Sequence, residues 1–380
     1  MKLIKINLLL KFPVSLFIFL LISTAATAQL YNDSGTIRIM NGGYIVCTGN
    51  VTNASGTITN DGKLEVQGNF SNRAAYNSID NNDSLLLTGA GNVTLNSASA
   101  ILNNLLVNKI SGGRVTLKAN TTIGRRFDLL AGDFSTDPAY SNELIAPASA
   151  TFTFGTGTQI TGKVRRTNWA NGSKIIFHQA DLAVTTTGGT APANVLVNMV
   201  PDRDPTLSER AVKRYFYFRP AGGSNYFADI TFPYRSAELN TNIEANLVPW
   251  YHASSNKWNA KLNNNANNTA LHYVASTGIQ ANIFENSEWK LADVALGLGS
   301  LFVYPVPARN TMNIGYTSEK NSKASIKLLD AAGKLYKVMQ KDILKGFNKL
   351  SLNIASLSPG QYILRVEEGN AVQTKAVLID

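Results

Sequence analysis

From residue 29 onward, apolar and polar residues alternate in short runs, and glycine or asparagine separates one run from the next. No stretch keeps a helical period, so this part of the chain is expected to be almost all β. Within residues 29–165 the runs repeat. Thr48-Gly49-Asn50-Val51-Thr52-Asn53 is echoed by Gln67-Gly68-Asn69-Phe70-Ser71-Asn72, an offset of 19. Asn41-Gly42-Gly43 is followed at the same offset by Asn60-Asp61-Gly62, and Gly35-Thr36-Ile37 returns as Gly56-Thr57-Ile58. Gly91-Asn92-Val93-Thr94-Leu95 is a weaker third copy, and Leu105–Val107 and Val115–Leu117 continue the rhythm. A period of about 20 residues is one coil of a β-solenoid, with short strands, small-residue corners and side chains pointing alternately in and out. One coil cannot bury its inner face alone, so stacking must supply the core. A meandering β-sandwich with evenly spaced hairpins is the alternative, and the recurrence of equivalent turns at one offset favours the solenoid.

The pattern changes over residues 166–298. Aromatic residues alternate in Arg214-Tyr-Phe-Tyr-Phe-Arg219 and again from Tyr226 to Phe232, with further strands expected at Leu247-Val248, Leu271–Val274 and Trp289–Ala292. Gly222-Gly223 and the asparagine-rich loop from Asn263 to Asn268 mark turns between them. Strands joined by polar turns predict an antiparallel sandwich with an aromatic core. Residues 301–380 predict a second, smaller sandwich with strands at Met312–Tyr316, Ala324–Leu329, Leu335–Gln340, Lys349–Asn353, Gln361–Glu367 and Val372–Ile379. Pro305 and Pro307 exclude a central strand where they stand. Asp330-Ala-Ala-Gly333 and Leu357-Ser358-Pro359-Gly360 read as turns.

Composition narrows the chemistry. The 380 residues carry 41 asparagines, a residue that tolerates the left-handed conformation and builds turns. Hydrophobic residues make up 44% and charged residues 16%, enough for a core and far from a disordered chain. A mean hydropathy of −0.05 excludes a polytopic helical membrane protein. The single cysteine, Cys47, lies in the apolar alternation Tyr44–Cys47 and reads as a buried thiol. It excludes a disulfide framework and any multi-cysteine metal site. The net charge of +10 is concentrated at the ends. Residues 1–28 hold three lysines and no acid, residues 301–380 hold 11 Lys or Arg against 6 acids, and only +2 remains on residues 29–300. A nucleic-acid partner is therefore not expected.

Residues 1–28 have the parts of a secretory signal: Lys2, Lys5 and Lys11, the apolar run Val14–Ile22, and the small-residue cleavage site Ala26-Thr27-Ala28. Cleavage after Ala28 would expose Gln29. The apolar run is short for a bilayer span, and no cysteine follows it for lipid attachment.

At the other end, Tyr304-Pro305-x-Pro307-Ala308, Asp330-x-x-Gly333 and Leu357-x-x-Gly360-x-Tyr362 follow one another in order. This set resembles the type A C-terminal sorting domain of the type IX secretion system. The resemblance implies an immunoglobulin-like sandwich, recognition by outer-membrane secretion machinery, and a protein secreted or held at the outer surface of a Gram-negative cell. It also implies removal of the sorting domain by a surface peptidase, with lipopolysaccharide attachment as one fate. Two positions depart from the family: Val306 stands where asparagine is common, and the chain ends Leu378-Ile379-Asp380 with its last lysine at Lys375. Residues 29–165 resemble, in pattern alone, the right-handed parallel β-helix of large secreted bacterial proteins.

No catalytic motif is present, neither His-Glu-x-x-His, nor Gly-x-Ser-x-Gly, nor a phosphate loop. His252 and His272 have no carboxylate in a ligand pattern beside them, so neither a metal nor another cofactor is expected. Asp80–Ser84 is oxygen-rich like a Ca²⁺ loop but lacks the glycine and terminal glutamate of an EF-hand, and it and Pro201–Pro205 read as solvated loops. Asp61 and Glu65 are the only acid pair to nominate for a β-helix lyase or glycoside hydrolase, no second acid can be placed across from them, and Arg125-Arg126 and Lys118 are poor candidates for a lyase base. Trp250 and Trp258 are the candidates for sugar stacking if residues 166–298 are a carbohydrate-binding module. The expected role is an exported structural or adhesive protein that binds polysaccharide.

Overall fold

The computed structural model describes residues 29–79, 81–136, 141–201, 211–240, 242–252, 258–261, 264–285, 287–293, 301–318, 320–344 and 346–380. The expected signal segment with Ala26 and Ala28, and the Asp202–Pro205 loop, lie outside the described residues. Among the described residues no helix is long and apolar enough to cross a membrane.

Residues 30–167 wind into a β-solenoid of about 6 turns. One face stacks Leu30–Asn32, Val51–Asn53, Phe70–Asn72, Val93–Asn96, Arg114–Leu117 and Asp133–Ser135, each parallel to the next. A second face holds Thr36–Ile39, Thr57–Asn60 and Ala75–Ser78. The third runs through Tyr44–Cys47, Lys63–Val66, Ser84–Ala90, Ile101–Ile110 and Thr121–Ala131. Parallel pairing excludes the hairpin meander, which would pair antiparallel. The repeat seen in sequence is the stacking register itself, since Thr52 opposes Ser71 and Asn53 opposes Asn72.

The corners explain the glycines. A Cβ on Gly62 would stand 2.3 Å from the Gly43 carbonyl oxygen of the coil below, and one on Gly68 would stand 2.6 Å from the Gly49 carbonyl carbon. Only glycine allows coils to approach that closely. The interior is aliphatic at first, with Val51, Ile58, Leu64, Val66 and Leu87 fully buried. It becomes aromatic further along, where the Phe127 ring meets Phe134 and Phe152 at 5.1 and 5.2 Å.

Polar side chains also run through this core. Asn32 donates from Nδ2 to Asn53 Oδ1 at 2.9 Å, and Asn53 donates to Asn72 Oδ1 at 2.7 Å, all three buried. Ser97 Oγ and Thr121 Oγ1, 3.1 Å apart, continue the column. A second set staples the outside corners: Asn50, Asn69, Asn92 and Asn120 each accept, through Oδ1, a backbone N–H of the next coil at 2.8–3.0 Å. The abundance of asparagine thus serves stacking as well as turns.

The strand Ile160–Thr167 belongs to two structures. It pairs parallel with Glu143–Pro147 and antiparallel with Asn194–Pro201. The solenoid sheet continues from there through Arg214–Ala221, Ser287–Asp293, Leu247–His252 and Trp258–Ala260. Facing it is a second antiparallel sheet of Ile175–Ile176, Ala183–Thr187, Phe227–Pro233, Tyr273–Gln280 and Asn265–Asn268. Between the two sheets, the Phe232 ring lies 5.5 Å from both Phe216 and Trp289. One hydrophobic cluster extends from Ile39 to Leu291, so the sandwich closes the end of the solenoid and shares its core.

Two buried arginines lock this junction. Arg214 grips Glu238 with two bonds of 2.9 Å and reaches Gln179 Oε1 at 2.8 Å and Gln159 Oε1 at 3.0 Å. Arg166 donates to the carbonyls of Ile176, Pro147 and Ala148 at 2.8, 3.0 and 3.1 Å, with its guanidinium 4.1 Å above the Phe152 ring.

Residues 301–380 form a separate sandwich. Leu301–Tyr304, Thr311–Ser318 and Gly346–Asn353 make one sheet. The other holds Leu335–Ile343, Ser322–Asp330, Gly360–Glu368 and Ala371–Ile379. Its core, from Leu301 to Ile379, is distinct from the solenoid–sandwich core.

Candidate functional site

The three motif segments of the C-terminal sandwich, far apart in sequence, meet at one end of it. Tyr304 closes the strand Leu301–Tyr304, and Pro305 and Pro307 follow, both exposed. Neither proline has an N–H to pair, and the chain then turns alongside the last strand. Ala308 donates its N–H to the Leu378 carbonyl at 2.9 Å, and the Asp380 N–H returns to the Ala308 carbonyl at 2.8 Å. Arg309 reaches the Asp380 side-chain carboxylate at 3.1 Å. Gly360 opposes Ile379, and Tyr362 opposes Asp330. Asp330 Oδ1 accepts the N–H groups of Ala332 and Lys334, each at 2.9 Å, and closes a hairpin in which Gly333 takes φ +82°. Tyr362 is buried, donates its hydroxyl to the Ser358 carbonyl at 2.9 Å and meets Tyr336 edge-on at 5.4 Å. Leu357 packs on the core behind them. The hydrogen bonds that hold this end together are mostly backbone bonds and turn bonds, and Asp380, one of the family departures, takes part in them.

On the solenoid, a polar concavity lies on an outer face. Asn81, Asn104, Arg125, Arg126, Ser149 and Thr151 line a cleft of about 510 Å³. Successive coils position these groups, since Thr151 opposes Arg126 in register. Arg125 donates to Asn81 Oδ1, Asn104 Nδ2 donates to the carbonyls of Asn81 and Asp83 at 3.0 and 2.6 Å, and Arg126 pairs with Asp128 at 2.7 Å. Two guanidinium groups among hydroxyls and amides suit an oxygen-rich ligand that carries negative charge.

The other nominated residues fare differently. Trp250 is fully buried, packed with Ala211 and Ala292, and offers no stacking face. Strand register puts it on the face of its sheet turned away from the aromatic core, where that small cluster covers it. Trp258 opens the strand Trp258–Ala260 opposite His252, and its side chain lies outside what is described. Cys47 is buried, and burial pushes its thiol up.

Glu65 lies on an outer face, where hydrogen bonds from Thr88 Oγ1, at 2.6 Å, and from the Tyr44 hydroxyl hold it below the usual carboxylate range. A carboxylate stabilised in its charged form makes a poor general acid at neutral pH. Asp61 sits at the corner before the same strand and does not face it across a groove. His252 ends a strand of one sheet, and His272 sits in the turn before a strand of the other. Among the described residues no group of three or more His, Cys, Asp or Glu could hold a metal ion.

The arginine cleft was missed by motif reading because its residues come from four coils and share no spacing. The recurring turn offset is the signal that would have aligned them.

In comparison with known families, residues 302–380 match the secretion system C-terminal sorting domain. No curated protein matches the chain. The sorting domain marks the protein as cargo of the type IX secretion system, secreted or attached to the outer cell surface as such proteins are in Bacteroidetes.

Proposed function

We propose that residues 29–298 form an adhesive surface module that binds polysaccharide, with the solenoid as the binding body and the sandwich as its cap. The signal segment 1–28 and the sorting domain 301–380 are its two export addresses. The end built from Tyr304, Pro305, Pro307, Asp330, Gly333, Leu357, Gly360 and Tyr362 is the face offered to the outer-membrane machinery. The observation that carries the polysaccharide reading is the Arg125–Arg126 cleft, whose chemistry favours sugars bearing carboxylate or sulfate groups. Hydroxyl rows in register support it, among them Thr52 beside Ser71 and Thr94 beside Thr116. Lipopolysaccharide as a covalent anchor belongs to the same reading.

The test is binding of the purified exported protein to a glycan panel, with R125A/R126A alongside. Retention of acidic glycans that weakens with salt and is lost in the double variant supports the proposal. Binding to no glycan on the panel removes it.

A further inference from the structure

A second site lies at the junction of solenoid and sandwich, where three residues from separate loops form a chain of hydrogen bonds. Ser236 opens a short turn after the strand Phe227–Pro233, and its Oγ is 3.1 Å from His272 Nε2. On the other side of the same ring, His272 Nδ1 is 2.6 Å from Glu244 Oε1. Tyr234 donates its hydroxyl to that carboxylate oxygen at 2.8 Å. Burial alone would raise the Glu244 carboxyl, but the bonds from His272 and Tyr234 outweigh it and hold the group below its ordinary range. An ionised Glu244 fixes the proton on Nδ1, which leaves Nε2 as the acceptor facing Ser236 Oγ.

The surroundings fit a reactive role. Ser236 is exposed. His272 is held at φ +54°, a conformation uncommon outside glycine and one that concentrates at functional sites. Beside the pair lies a cavity of about 620 Å³, with Phe154 and Thr158 of the last solenoid coil on one side and Ala180, Tyr234 and Leu271 of the sandwich on the other. The next residue along the chain, Arg235, lines the same cavity and is anchored there by a 2.7 Å bond from Nη2 to the Gly157 carbonyl. It brings positive charge to the wall where a carbonyl oxygen would become negative.

We propose that Ser236 and His272 are catalytic residues of a hydrolase acting on carboxylic esters, with Glu244 as the positioning residue. Ser236 Oγ attacks the ester carbonyl carbon while its proton passes to His272 Nε2. The bond from carbonyl carbon to alcohol oxygen breaks, and the leaving alcohol takes that proton. Water then attacks the acyl-serine, gives one proton to Nε2, and releases the carboxylic acid as Ser236 recovers its proton. No co-reactant other than water is needed. The apolar groups of the cavity suit the acyl part, and the open side leaves the alcohol unrestricted. The activity does not rest on the polysaccharide reading.

The experiment treats the full exported chain with a fluorophosphonate probe, maps the adduct by peptide mass, and follows hydrolysis of p-nitrophenyl acetate. The expected result is one adduct, on Ser236, absent in S236A, with turnover falling about a hundredfold or more in S236A and in His272→Asn. Asparagine is chosen because it accepts positive φ. E244Q is expected to keep the adduct, form it more slowly and show an altered pH profile, a change that a merely structural carboxylate would not cause. No adduct on wild-type protein with an intact melting transition, or equal turnover in S236A, would overturn the proposal.

Discussion

The solenoid and the sandwich that closes it bury polar groups in opposite ways. In the solenoid, a ladder of neutral amides repeats: Asn32, Asn53 and Asn72 pass hydrogen bonds from coil to coil, and the buried Lys109 is met by backbone carbonyls. In the sandwich the most deeply buried polar contact is an ion pair: Arg214 and Glu238 meet with side chains 0% and 2% exposed. A ladder of amides can be lengthened one coil at a time, because each rung satisfies the next. A buried ion pair cannot be repeated cheaply, since each charge is costly to desolvate. The chain places that pair at the junction, where it joins Gln159 of the last coil to Gln179 of the cap. The difference teaches where order must be enforced: the solenoid specifies itself by repetition, and the cap must be pinned.

The largest expected effect comes from breaking the pin. Arg214→Met leaves Glu238 buried without its cation and should cost about 3–5 kcal/mol. All four tryptophans lie at residue 169 or later, so their fluorescence reports the sandwich, whereas far-UV dichroism reports both regions. With one shared core, the two signals should move together in urea, in wild type and variant alike. A solenoid transition that keeps its midpoint while the sandwich unfolds would separate what the structure joins.

Asn53→Ala comes next. It deprives Asn32 and Asn72 of their partner and leaves the Ala75 carbonyl without its donor, for a cost of about 2–3 kcal/mol. The exposed corner staple Asn92→Ala should cost about 1 kcal/mol or less by the same chemical measurement. Equal costs would mean that the interior ladder is no stronger than the corners. Gly68→Ala places a Cβ against the backbone of Gly49 and is expected to cost about 1–3 kcal/mol.

A pH dependence also belongs to the junction, small near neutral pH and growing as the pH falls. His178 is fully buried beside the last coil, and its Nε2 lies 2.7 Å from the Gly162 carbonyl. Desolvation pushes it down to about 3. The unfolded chain takes up that proton near pH 6.5, so it binds more protons than the folded chain below that point. Stability should fall from about pH 6.5 toward 3 by up to about 1.4 kcal/mol per unit from this group. The carboxylates of Glu65, Glu244 and Glu368, all held low, pull in the same direction but only at more acid pH. His178→Gln should flatten the upper part of the profile, and a slope that persists there would assign it elsewhere.

Much of the fold was legible because repetition is a sequence property. The paired echoes at Gly49 and Gly68, and at Gly43 and Gly62, are contacts between neighbouring coils. The six strands expected after residue 311 are all present, each extended by a residue or more. The shared strand Ile160–Thr167 was not legible as a junction, because its alternation looks the same whether its partner is parallel or antiparallel. The asparagine ladder was read only as turns, although Asn53 and Asn72 stand at inward positions of equivalent strands. The Ser236–His272–Glu244 chain left no local trace, since turns separated by 36 and 28 residues bring it together. Trp250 shows the converse error, a residue type suited to ligand stacking that is buried in a small cluster with Ala211 and Ala292 on the far face of its sheet.

The central claim is that residues 301–380 are an address and residues 29–298 the cargo. It is tested most directly in the native host, by following full-length protein and a version ending at residue 300 through periplasm, cell surface and medium by intact mass. The account predicts that the full-length protein reaches the surface or the medium, starting at Gln29, and that the shortened one folds but stays in the periplasm. Equal export of both would contradict it, and residues 301–380 would then be part of the working protein.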